Sequence, residues 1–227
     1  KILQSSREIT EVLKLSSVGA KTGVEPQKSI LKTAYEQFQQ SFDPLYGGFG
    51  GRPKFPRPVT LNFLLRYQSR FNEAEALRMV LATLQKMRAG GIYDHLGGGF
   101  HRYSVDGQWR VPHFEKMLYD QALLVSSYVD AYQITRNLDY AATARETLTY
   151  VLGVMTDPEG GFYSAEDAES PEDFDKPGEK EEGAFYLWTE EEIEQVLAGD
   201  RAKVFKYRYG IRSQGNALED VHKVFSG

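Results

Sequence analysis

The chain has 227 residues, 41% hydrophobic and 26% charged, and its 27 basic and 32 acidic side chains leave a net charge of −5. These are the proportions of a folded, water-soluble protein. The charge balance gives no electrostatic footprint for nucleic acid, and no apolar run approaches the ~18 residues that a membrane span requires. Neither a nucleic-acid nor a membrane partner is therefore expected.

The sequence has no cysteine, which excludes disulfides, thiol catalysis and cysteine-held metal within it and leans toward a reducing, cytoplasmic setting. Its acidity is local. Residues 165–183 hold nine acids and two lysines, so the remainder carries +2. The chain opens on Lys1, from which a preceding segment is expected.

The spacing predicts a helix over Ile2–Leu15, then a Ser/Gly/Lys linker over Ser16–Gly23. Beyond it, Gly-Gly-Phe recurs at Gly47–Phe49, Gly98–Phe100 and Gly160–Phe162, a period of roughly 50–60 residues. Before each copy, apolar residues fall at spacings of three and four: Ile30 to Phe38, Leu77 to Met87 and Ala141 to Met155, the last including Leu148 and Leu152. Each predicts a one-faced outer helix. After the first two copies, Pro56 and Pro58, then Pro112, announce a second helix that is apolar over a wider arc, as Phe114 to Tyr132 shows. The unit reads as outer helix, glycine-rich loop, buried inner helix. A solenoid or an ordinary bundle would fit the helices alone. Long loops rich in Tyr, Trp, His and Asp, all following the same kind of helix, favour an all-α partial α/α toroid with its loops gathered on one rim. Residues 24–227 are taken as this toroid segment and residues 1–23 as a lead-in from another domain. Ser170–Glu182 reads as a mobile excursion. GAFYLWT reads as a short extended or aromatic run ending on Thr189, the N-cap of TEEEIEQVL, whose Glu192 three residues on completes a capping box.

Three of the four histidines, His95, His101 and His113, lie within the second loop or at its end. Their spacings of six and twelve match no zinc signature, so no metal is expected. If Pro112 starts a helix, His113 sits in its first turn, where the dipole disfavours a cation and leaves a neutral, proton-accepting imidazole. Glu115 would then be its partner acid or a dipole partner, and Lys116 would pair with Asp120 at i, i+4. His113, Glu115 and His101 are the catalytic candidates. Tyr93, Asp94, His95, Arg102, Tyr103, Asp106 and Trp109 combine flat faces with hydrogen-bonding heads, which suits a sugar-like ligand. Packing of loop on loop is the competing reading of each aromatic. In the third loop, Tyr163, Glu166, Asp167 and Glu169 add carboxylates to the same rim, with Asp167 and Glu169 taken as ligand-binding. No phosphate-cradling loop, dinucleotide fingerprint or nucleophile elbow is present, and no cofactor is expected.

The strings GGFGGRPKFPRP (Gly47–Pro58), GGIYDHLGGGFHRYSVDGQWRVPHFEKMLYDQA (Gly91–Ala122), GGFYSAEDAES (Gly160–Ser170) and EGAFYLWT (Glu182–Thr189) resemble the spermatogenesis-associated protein 20 family of thioredoxin-domain-containing proteins. The resemblance implies an amino-terminal thioredoxin-like domain followed by a six-hairpin, glycosidase-like toroid similar to the N-acylglucosamine 2-epimerases. It implies that this chain covers the end of the former and the first part of the latter. Sugar epimerisation or isomerisation, glycoside hydrolysis, and a non-catalytic module serving a thioredoxin-like partner remain alternatives.

Overall fold

The computed structural model describes residues 2–17, 27–171 and 178–217, in two units, Lys1–Ala34 and Tyr35–Gly227. In the first unit, α1 (Ile2–Ser17) is the helix expected from the amino-terminal pattern. Most of the expected linker lies outside the described residues, as does residue span 172–177 of the acidic excursion.

α2 (Ser29–Ser41) leads into the second unit, which contains α3 (Pro58–Phe71), α4 (Ala74–Ala89), α5 (Leu118–Thr135), α6 (Leu138–Val154), α7 (Glu190–Leu197) and α8 (Gly199–Tyr209). α3 packs on α4 and α5, α5 on α6, and α7 on α8. Two-residue turns reverse the chain between α3 and α4 and between α5 and α6, and the two are built alike. Asn72 (φ 54°) and Arg136 (φ 60°) take left-handed conformations, and their amides donate to the carbonyls of Gln68 and Tyr132. The next residues, Glu73 and Asn137, then cap the following helix by accepting the Glu75 and Asp139 amides. Turns this short force antiparallel neighbours. Among the described residues no helix is long and apolar enough to cross a membrane.

The core lies between these hairpins, where Leu61, Leu64, Met79, Val80, Leu84, Met87 and Leu124 are fully buried, each contributing about 1.5–3 kcal/mol. The Tyr128 hydroxyl ties α5 to α4 by donating to the Leu84 carbonyl at 2.8 Å. Of the apolar face expected for the third outer helix, Ala141, Ala144, Val151 and Met155 are buried, but Leu148 and Leu152 are exposed, and Tyr140, Thr143, Thr147 and Tyr150 of α6 are inside as well. Both threonines can be buried because their hydroxyls donate to the carbonyls of Asp139 and Thr143 one turn back. The capping box at Thr189 forms as expected, but Ala184–Tyr186 is a turn rather than an extended run.

The Gly-Gly-Phe loops share one construction. An aspartate lies five or six residues before each phenylalanine, and Oδ1 of Asp43, Asp94 and Asp157 accepts backbone amides within its own loop. Each loop is closed by an isolated antiparallel bridge, Phe42 with Phe49, Tyr93 with Phe100, and Thr156 with Phe162. The second glycine lies against an aromatic ring in the first two. A Cβ on Gly48 (φ 81°) would stand 2.6 Å from Trp109, and one on Gly99 (φ 81°) would stand 2.5 Å from Tyr150, so no other residue fits.

Backbone pairing then stitches the loops side by side. Lys54 of the first loop bridges to Ser104 of the second, and β3 (Lys116–Met117) pairs with β4 (Ala165–Glu166) of the third. The three loops therefore form one continuous rim.

Candidate functional site

The rim is organised around two buried lysines, Lys54 and Lys116, neither of which is among the residues expected at the site. Lys54 Nζ donates to Asp43 Oδ2 at 2.7 Å and to the carbonyls of Gly47 and Gly107. Lys116 Nζ repeats this with Asp94 Oδ2 at 2.9 Å and the Gly98 carbonyl, and lies over the rings of Tyr150 and Tyr186. Burial works against ionisation of Asp94, but the hydrogen bond and charge of Lys116 hold its carboxyl below the usual range. The expected pairing of Lys116 with Asp120 is corrected: Lys116 belongs to a strand, and α5 begins only at Leu118.

That late start also corrects the placement of His113. Pro112–His113 forms β2, paired with β1 (Tyr103–Ser104) in a hairpin, so His113 is not in a first helical turn and the dipole argument does not apply to it. Partnering by strands overrides the helix-starting preference of proline. The hairpin sets the Tyr103 ring flat on the His113 imidazole, 4.9 Å between centroids at 19°. Phe55 of the first loop also packs on Tyr103, 4.7 Å between centroids. The imidazole stands between two carboxylates: Nδ1 donates to Glu182 Oε1 at 2.6 Å, and Nε2 lies 3.7 Å from Glu115 Oε2. All three side chains are partly exposed, at 25%, 31% and 23%. Glu182 comes from β6 (Lys180–Glu182), which pairs with β5 (Glu169–Pro171). The acidic stretch read as an excursion thus delivers a carboxylate to His113.

Glu115 is also held at 2.6 Å by Arg102. Below them Asp120, in the first turn of α5, is 6% exposed, and its Oδ2 has no hydrogen-bond partner. Burial, opposed by Arg102 and reinforced by Glu115, pushes the Asp120 carboxyl up to about 6. A carboxyl with a higher pKa folded than unfolded loses stability as pH rises from the unfolded value through the folded one, and the loss is complete above it. Asp120→Asn is expected to raise stability on the order of 1–2 kcal/mol at pH 8 and little at pH 4. Hydrogen exchange of α5 amides at the two pH values measures this.

His101 is buried, donates from Nδ1 to the Phe114 carbonyl at 3.0 Å, and packs edge-on against Phe114 and Tyr186. Tyr150 and Tyr186 both donate to Glu166, and burial with that carboxylate raises both phenols.

The remaining candidates are placed as follows. Trp109 is fully buried, its indole N–H on the Tyr46 carbonyl. Tyr93 is buried with its hydroxyl on Glu146. Both ring nitrogens of His95 are engaged, Nε2 with the Gly90 carbonyl and Nδ1 with Arg88. Asp106 is buried and accepts the amides of Gln108, Arg110 and Val111 at the hairpin tip. Trp109, Tyr93 and Asp106, with Asp94, direct their polar atoms onto partners within the protein, whereas His95 is exposed. Asp167 and Glu169 are exposed, and Asp167 accepts the Glu169 amide. Tyr163 is exposed, its hydroxyl on Asp157. The structure thus brings together His113, Glu115, Arg102 and Tyr103, and adds Phe55, Glu182 and Asp120. Among the described residues, no three His, Asp or Glu side chains are arranged to hold a metal ion.

Helical hairpins with their loops stitched into one rim define a segment of an α/α toroid of the six-hairpin, N-acylglucosamine 2-epimerase-like kind. The solved structures it matches share that fold. A sugar epimerase from a ruminal bacterium aligns with TM-score 0.54 and 14% identity, over 80% of this chain and 53% of the other. The cellobiose 2-epimerase of Bacillus thermoamylovorans aligns with TM-score 0.52 and 14% identity, over 62% and 42%.

In sequence, the chain is homologous to spermatogenesis-associated protein 20, at 43% identity to the mouse protein and 42% to the human one over 86% of its length. It spans about a quarter of the length of these relatives, 25% and 26%. An uncharacterised Caenorhabditis elegans protein is 41% identical over 84% of the chain. No protein-family model matches the chain.

Proposed function

We propose that this rim belongs to a sugar-modifying toroid in which His113 moves a proton at the carbon next to a sugar carbonyl. The observation that carries the reading is the setting of His113, with Nδ1–H fixed on Glu182 and the ring face backed by Tyr103. That partner orients the imidazole and leaves Nε2 as the proton acceptor. An open-chain sugar would lose its α-proton to Nε2, and the C–H electron pair would move into an enediolate. Return of a proton to the opposite face, from a second acid on another part of the ring, completes an epimerisation. Arg102 and the exposed edge of Tyr103 would bind hydroxyls. His101, Asp167 and Glu169 would act around this centre, His101 by supporting Phe114 and Tyr186 from inside.

The glycosidase reading has less support. Glu115 is occupied by Arg102, and the carboxyl with a raised pKa, Asp120, is sealed from a substrate. A module that only binds would leave the Glu182–His113 pair without a chemical purpose.

The test is deuterium incorporation at the carbon α to the carbonyl, followed by proton NMR across a panel of reducing sugars in D2O, with the protein in its native full length. His113→Ala is expected to lower exchange at least about 100-fold and Glu182→Gln about 10–100-fold. Absence of exchange with every sugar, in the parent and variants alike, would overturn the proposal.

A further inference from the structure

The third Gly-Gly-Phe loop has the construction of the other two but not their surroundings. In the first, the Gly48 amide donates to Thr83 Oγ1 of α4 at 2.9 Å, and a Cβ on Gly48 would meet Trp109. In the second, the Tyr93 hydroxyl donates to Glu146 of α6, and a Cβ on Gly99 would meet Tyr150 of the same helix. Each loop thus rests on the outer helix of the hairpin that follows it and lays its second glycine against an aromatic ring. Phe49 and Phe100 are sealed as a result, at 2% and 0% exposure. Beside Gly160 and Gly161, by contrast, no described residue beyond their chain neighbours lies within 4 Å of the position a Cβ would take, and Phe162 is 57% exposed.

The carboxylates differ in the same way. Oδ2 of Asp43 and of Asp94 takes a buried lysine from the stretch that joins the loop to the next inner helix. Lys54 lies four residues before α3, and Lys116 two before α5. Among the described residues, Oδ2 of Asp157 takes the hydroxyl of Tyr163, a side chain that is itself exposed.

We infer that this loop is the docking surface for the next repeat of the toroid, a segment that brings a lysine to Asp157 and lays an aromatic ring of its outer helix on Gly161. The rim already passes from loop to loop through this pair of contacts, so the occupant continues an interface that the structure contains twice. The chain spans about a quarter of the length of its relatives, which leaves ample polypeptide to supply the segment. An exposed carboxylate beside an exposed phenylalanine complements a cation flanked by a ring, and docking removes the apolar face of Phe162 from water. Gly160 and Gly161 stand at φ 100° and 92°, where a side chain is strained, so the turn keeps a bare backbone face for the ring. None of this depends on the sugar reading.

Hydroxyl-radical footprinting of the native full-length protein tests it, with Phe49 and Phe100 as internal standards. Phe162 is expected to be oxidised as slowly as those two, within about twofold. Oxidation of Phe162 at the rate of the unfolded chain overturns the inference. Protection that falls away as the protein is diluted assigns the loop to a second copy, and equally overturns it. Two substitutions then distinguish lysine from tyrosine as the partner of Asp157. Asp157→Asn is expected to speed amide exchange over residues 156–163 at least about tenfold, as Asp94→Asn should in its own loop, whereas Tyr163→Phe should change it less than about threefold. Equal effects of the two would make Tyr163 the partner and overturn the assignment of a lysine.

Discussion

Lys116→Met is expected to cost about 3–5 kcal/mol, the penalty of removing one partner from a buried ion pair. Lys116 is 1% exposed and Asp94 12%, so the abandoned carboxylate cannot recover its hydration. The same substitution orphans the Gly98 carbonyl, to which the ammonium donates at 3.0 Å, and removes the cation over Tyr150, 4.3 Å from the ring centroid. The pair with Asp94 clamps the second Gly-Gly-Phe loop, and the strand that carries Lys116 joins that loop to the third. Loss should therefore spread to α6 through Tyr150. Hydrogen exchange of α5 and α6 amides as a function of denaturant gives the magnitude. The double change Asp94→Asn with Lys116→Met should regain a large part of the loss, because no charge is then left unpaired. If Lys116→Met alone changes exchange by less than about 1 kcal/mol, the clamp is not holding the rim together.

This clamp shows where the sequence is legible and where it is not. Helix hairpins could be read because their signals are local: apolar residues at spacings of three and four, a proline at the start of α3, and Gly-Gly-Phe motifs at a regular period. The common rim followed from the loops all succeeding the same kind of helix. What joins the loops is not local. Lys116 finds Asp94 across 22 residues and His113 finds Glu182 across 69, and no periodicity announces such pairs. Strands of two residues are too short to leave an alternating pattern, so Pro112 reads as a helix start although β1 and β4 claim the backbone on both sides of Phe114. The aspartates five or six residues before each phenylalanine were a usable signal: they recur with Gly-Gly-Phe, and the recurring lysine before the first two inner helices completes the motif. Aromatic residues misdirect in the opposite way. Trp109 and Tyr93 look like ligand platforms by composition, yet each fills the space beside a glycine-rich loop, and the sequence alone does not separate a ring that lines a cavity from a ring that plugs one.

Acidification is the second large effect. Burial, with help from the Lys116 ammonium and His113 and against the Phe114 carbonyl and Asp94, pushes His101 down to about 3. The unfolded chain takes up that proton near pH 6.5, whereas the folded chain resists it until about pH 3. Between these values the unfolded state binds more protons, so stability falls as pH falls, by about 3 kcal/mol at pH 4. Protonation would also place a cation against Lys116 and two aromatic faces, with Phe114 and Tyr186 both packed on the ring. The rim should therefore be the part of the molecule that opens first in acid. His101→Gln keeps a donor for the Phe114 carbonyl but has no titrating group, so its stability should be lower than that of the parent at pH 7.5 and show a flatter pH dependence between pH 6.5 and 4. Asp120 moves in the opposite sense, because its neutral form is the one favoured below about pH 6. A combined His101→Gln and Asp120→Asn protein should consequently lose both slopes. An unchanged acid slope in His101→Gln would mean that the proton taken up on unfolding belongs to another group.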